Sequence, residues 1–179
     1  IAWSGWCSLP TRSSSSTAAS TTAPPATGVA ASLDETAPPG YASWNDVVAE
    51  ARGQTVDFYM WGGSDIINRW VTGPAAEAIQ RDYGVTVNMV PVSDAPEFIN
   101  KIRGEQEAGR ADGSVDLMWI NGENFRTLRE GGLAYGPWSR FLPNSALVDW
   151  DDPSVAHDFG YPVDGYESPY GKAQFVMIY

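Results

Sequence analysis

Three short segments carry side chains suited to holding a small molecule: WGGSD at 61–65, PVSDAP at 91–96 and WINGEN at 119–124. Each follows a run of apolar or β-branched residues and turns abruptly to Trp, Gly, Ser, Asp or Asn. A tryptophan face holds an aromatic or cationic group for about 0.5–2 kcal/mol. Amides and carboxylates add directed hydrogen bonds, and glycines let a ligand reach backbone amides. The candidates are Trp61, Gly62, Gly63, Ser64 and Asp65 in the first segment, and Trp119, Asn121, Gly122, Glu123 and Asn124 in the third. Plainer uses stand beside these. Both tryptophans suit the end of a core strand, and Gly62-Gly63 suits a tight strand-to-helix turn. Asp65 and Glu123 suit the first turn of a helix, where a carboxylate gains about 0.3–1 kcal/mol from the dipole. Asp116, inside the third apolar run, would need a partner if buried and reads as structural.

Patterns for catalysis are missing. The single histidine, His157, lies beside Asp158 with no ligand spacing around it, and reads as a surface or structural imidazole. No HExxH motif occurs, and no Ser or Cys nucleophile stands beside a base. The adjacent carboxylates Asp151-Asp152 do not set the separation a glycosidase needs. GxGxxG and GxxxxGK[ST] are absent, which disfavours a nucleotide, and no cofactor or metal is expected. The net charge is -11, with 22 acidic and 11 basic residues. No basic cluster exists to meet nucleic acid, and the acidity serves solubility. Eight Trp and eight Tyr are more informative, because aromatic side chains outside a core usually contact something.

The elements that must position the candidates read as alternating strands and helices. Ser43 caps a helix over WNDVVAEARG, with Gly53 as its stop. TVDFYMW (55–61), VTVNMVPV (85–92) and SVDLMWI (114–120) read as strands. Their starts are about 30 residues apart, the length of a βαβ unit. Ile66 to Trp70 and AAEAIQRDYG read as two helical pieces separated at Gly73-Pro74. Ser93 or Asp94 caps a helix that buries Phe98, Ile99 and Ile102, and NFRTLREGG reads as a short helix. Near-continuous apolar strands between helices predict an α/β fold with a parallel sheet covered on both faces. In such sheets ligands lie outside the carboxyl ends of the strands, where the three segments fall. The stretch from Leu133 to Pro169 is loop-rich, and a long irregular stretch of that kind is usually functional or disordered.

Residues 1–40 read as a Ser/Thr/Ala/Pro-rich tether, too poor in large apolar residues to fold. The lone cysteine, Cys7, heads it and excludes an internal disulfide. A cysteine in that place resembles the lipid-modified cysteine of bacterial lipoproteins. Trp6 departs from the small residue expected there, and the upstream SGW lacks the expected leucine. A free thiol in a tail is the alternative.

WGGSDIINRWV, GSVDLMWINGENFRTL, GPWSRFLPN and DFGYPVDGYESPYGKAQFVMIY together resemble the solute-binding component of Ynj-type bacterial ABC transporters, within the wider class of extracellular solute-binding proteins. The resemblance covers residues 56–179. It implies a two-lobed, monomeric protein on the periplasmic or extracellular side, with Cys7 as a candidate lipid anchor. Such a protein closes on a small solute and delivers it to a permease and its ATPase. It also implies that 41–179 is a first lobe, that QFVMIY (174–179) is the strand crossing to a second lobe, and that a complete member is about twice as long. Tyr166, Glu167, Ser168 and Tyr170 then face the cleft, although packing of the loop onto the sheet would use the tyrosines equally well. The alternatives are a surface-anchored enzyme acting on carbohydrate and a ligand-binding or adhesion module without a transport role.

Overall fold

The computed structural model describes residues 2–3 and 37–171; Cys7 and QFVMIY lie outside them. Ser43 starts helix α1 (Trp44–Ala51) through a capping box. Its hydroxyl accepts the Asp46 N–H at 3.3 Å, and the Asp46 carboxylate accepts the Ser43 N–H at 3.0 Å. The two side chains thereby satisfy donors that a helix start leaves open.

Strand β2 (Thr55–Trp61) has the expected bounds, and its β-branched and aromatic residues suit a pleated surface. It pairs in parallel with β3 (Thr86–Val92) on one side and β4 (Leu117–Met118) on the other. β1 (Ala2–Trp3) pairs antiparallel with β4, giving the order β1-β4-β2-β3. Those two residues belong to the segment expected to be a tether. Pro91, opposite Met60, is tolerated because β3 is an edge strand.

β4 is shorter than the seven residues expected, because side chains replace its ladder bonds. Asp116 Oδ2 accepts the Asp57 N–H at 2.8 Å, and Glu105 Oε2 accepts the Ser114 N–H at 3.0 Å. Beyond Met118 the Trp119 N–H continues the ladder, to the Tyr59 carbonyl at 2.9 Å. The structural reading of Asp116 holds: its carboxylate serves the backbone.

The helix after β2 also differs from expectation. α2 (Asp65–Trp70) and α3 (Ala76–Tyr83) are joined by a π-helical turn, Val71–Ala75, which contains Pro74. Widening the turn accommodates the ring that an α-helical interior rejects, so the chain bends without breaking. α4 (Pro96–Glu107) buries Phe98, Ile99 and Ile102 as expected. Its start is tied by Glu97, whose Oε1 accepts the N–H groups of Ser93 (2.8 Å) and Asp94 (3.1 Å). α5 (Gly122–Glu130) begins two residues before the predicted NFRTLREGG helix. Its Phe125 and Leu128 join Phe98, Val115 and Met118 in the core, all at 0–1% exposure.

The loop-rich stretch is anchored to this scaffold. It contains 3-10 turns at Ser139–Phe141 and Pro143–Leu147, helix α6 (Pro153–Ala156) and a hairpin of β5 (His157–Asp158) and β6 (Tyr161–Pro162). The N–H groups of Trp138 and Ser139 both donate to the Gly165 carbonyl, at 2.8 and 2.9 Å. The guanidinium of Arg129 lies 3.4 Å from the Tyr166 ring centroid. Gly136 makes room for that ring, since a Cβ there would lie 2.5 Å from it.

Candidate functional site

The carboxyl ends of β2, β3 and β4 open onto two cavities that share Trp119, Ile120 and Asn121 as a common wall. The smaller, about 260 Å³, continues along Trp61, the Ser93–Asp94–Ala95 turn and Asn124. The larger, about 550 Å³, runs under the hairpin, past Asp158 and Phe159, to Glu167, Ser168 and Tyr170. Both lie where a parallel sheet presents its ligand crevice.

Seven of the residues singled out from sequence meet here, Glu167 of the larger cavity among them. Trp119 and Asn121 line both cavities, Trp61 and Asn124 the smaller, and Ser168 and Tyr170 the larger. Trp119 and Tyr170 meet edge to face, with centroids 5.7 Å apart and planes at 65°, an arrangement that aromatic quadrupoles favour. Trp61 is 46% exposed, so it is not a core residue.

The other sequence candidates line neither cavity. A Cβ on Gly62 would come within 2.7 Å of Pro91, and one on Gly63 would strike the Trp61 ring, so both glycines serve close packing. Ser64 caps α2, accepting the Ile67 N–H at 3.4 Å, and Asp65 sits exposed in that helix's first turn. Glu123 is likewise an exposed first-turn carboxylate, on α5. Gly122 takes φ +56° and gives its N–H to Asp158 Oδ2, which ties α5 to the hairpin. Tyr166 is held beneath Arg129.

Asp158, Phe159 and His157 were not among the sequence candidates for binding. The hairpin turn that carries Phe159 has φ +46° there and +86° at Gly160, the positive pair that a two-residue type I′ turn requires. Asn-Gly or Asp-Gly would have announced such a turn; Phe-Gly does not.

The described lining includes Asp94, Asp158 and Glu167, and no Lys or Arg. Glu167 is 7% exposed. Burial pushes its carboxyl up to about 7, and the neighbouring Asp158 acts in the same direction. Burial also raises Asp158, against the stabilising N–H of Gly122. Among the described residues no group of three His, Cys, Asp or Glu could hold a metal ion. No helix among them is long and apolar enough to cross a membrane.

A chain with this parallel sheet and cleft belongs to the bacterial extracellular solute-binding proteins, whose family model matches residues 74–179. It is similar to Protein YnjB of Escherichia coli (strain K12), with 43% identity over 136 residues, 75% of this chain and 34% of the relative. The chain therefore spans about a third of the length of that curated relative. No solved structure matches it.

Proposed function

We propose that this chain is the first lobe of an extracytoplasmic solute receptor of an ABC importer. It captures a small solute between two lobes and hands it to a membrane permease served by an ATPase. The observation that carries this reading is the pair of cavities meeting at Trp119, Ile120 and Asn121, at the carboxyl ends of the parallel strands. Trp61, Trp119, Asn121, Asn124, Ser168 and Tyr170 form one half of the grip, and the second lobe closes over them by a hinge motion. Cys7 is a candidate point of lipid attachment. The side chains at the strand ends offer indole faces, amides and a hydroxyl, a set suited to holding a solute unchanged.

A receptor of this kind works with a Kd of roughly 1 μM, about -8 kcal/mol. Half a cleft supplies only part of that, so the 179-residue chain alone binds weakly. A thermal-shift screen of the full-length protein against organic cations, sugars, polyamines and metal complexes tests the reading. A saturable shift with one solute class and no turnover supports it. Turnover of the bound solute would instead make the protein an enzyme.

A further inference from the structure

Helices α1, α2, α5 and α6 each follow a residue able to cap them, and α5 does not use its own. Ser43, Ser64 and Asp152 each accept a backbone N–H of their helix. Asn121 stands in the same place before α5, with the extended backbone of a capping residue (φ -157°, ψ 162°), yet its side chain makes no such bond. Asn121 instead lines both cavities, on the wall they share with Trp119 and Ile120.

The acceptor at this helix start comes from another element. Asp158, 36 residues on, brings Oδ2 to the Gly122 N–H. The Phe159 ring packs on the same residue, since a Cβ on Gly122 would lie 3.5 Å from it. Gly122 has φ +56° and Phe159 has φ +46°. A bulky residue rarely takes a positive φ, and such a conformation persists where its surroundings hold it. The hairpin tip therefore grips the Asn121–Gly122 turn through one polar and one apolar contact.

We propose that Asp158 is a positioning residue for solute binding: by capping α5 from the hairpin, it leaves the Asn121 amide to the cleft. The inference rests on the reading of the protein as a solute receptor and adds the device that sets one of its binding side chains. An amide at a helix start has two competing uses, because the open N–H groups of the first turn attract its oxygen. An oxygen bound to the helix is not offered to a solute. A carboxylate makes the stronger bond to a backbone N–H, and Asp158 supplies one from outside the helix.

The test is a double-substitution cycle in the full-length protein, read by solvent exchange of the Glu123 and Asn124 amides in NMR spectra. Asn121→Ala alone should change those rates less than about twofold, because no cap is lost. In Asp158→Ala the Asn121 amide turns to the cap left open. Adding Asn121→Ala there should speed exchange about fivefold, the typical effect of removing an N-cap. Asp158→Asn keeps an acceptor oxygen and should restore the parent pattern, which a general loosening of the hairpin would not do. Equal effects of Asn121→Ala in the two backgrounds would overturn the inference. So would a rise of about fivefold in the parent background, a result that does not depend on Asp158→Ala folding.

Binding supplies the second arm, by thermal-shift titration with choline, maltose, spermidine and ferric citrate. A solute that shifts the parent should bind about fivefold more weakly to Asn121→Ala and to Asp158→Ala, and regain its affinity in Asp158→Asn. Unchanged affinity in Asn121→Ala would overturn the inference and leave the receptor reading standing. No shift from any of the four would overturn both.

Discussion

The smaller half of the cleft is made by the ends of a parallel sheet, and the larger half by a hairpin joined to α5 across 36 residues of sequence. The first is held by the parallel strand pair, where Pro91 closes on Gly62, and by a short-range device in which Glu97 ties the amides of Ser93 and Asp94. The second depends on distant contacts, among them Asp158 with Gly122 and Tyr166 with Arg129. The two halves differ in what they hold as well as in how they are held. The sheet-built half offers Trp61, Asn121 and Asn124, whereas the hairpin-built half buries a carboxylate at an energetic cost. Stability and binding are therefore expected to oppose one another in the hairpin-built half and not in the other.

The largest disturbance would come from Phe125, which belongs to both halves: it is fully buried in the core and meets Tyr161 of the hairpin edge to face at 6.1 Å. Phe125→Ala should cost about 3–5 kcal/mol in denaturant unfolding. A loss under about 1 kcal/mol would mean that the halves do not share a core at this residue.

Glu167→Gln sharpens the contrast next. A carboxyl raised from 4.5 to about 7 by folding is stabilising while protonated. That contribution is fully present below pH 4.5 and is lost as pH rises through 7. The neutral Gln avoids the loss, so the variant should be more stable than the parent at pH 8, on the order of 2 kcal/mol, and nearly equal to it at pH 4. Thermal melts at the two pH values check this; a variant less stable at pH 8 would remove the burial argument. In the sheet-built half, Glu97→Gln weakens two hydrogen bonds at an exposed helix start and should cost about 0.5–1 kcal/mol. Equal effects of Glu97→Gln and Glu167→Gln in sign and size would erase the distinction.

The same division explains what could be read from the sequence. Thr55–Trp61, the Ser43 cap and the buried face of α4 follow from local pattern, and all three appear as expected. The sheet-end candidates Trp61, Trp119, Asn121 and Asn124 followed from strand order alone, and the structure brings them together. Gly62, Gly63, Ser64, Asp65 and Glu123 did not reach the cleft, because residues of these types also make turns and helix starts, and local sequence does not distinguish the uses. The shortness of β4 and the continuity of α2 with α3 were hidden for a different reason. They depend on carboxylates taking backbone donors and on a helix widening around Pro74. Phe159 and Asp158 were hidden because a long-range bond and an unannounced hairpin turn place them.

Trp119 is the wall both halves share, and the central claim is that this wall grips a solute. Titration of the full-length protein with the solute found by screening, against Trp119→Ala, tests it most directly. The account predicts binding weakened at least about tenfold, close to 1.4 kcal/mol, with the fold retained. Unchanged affinity in a folded Trp119→Ala variant would contradict it and return Trp119 to the role of a packing residue.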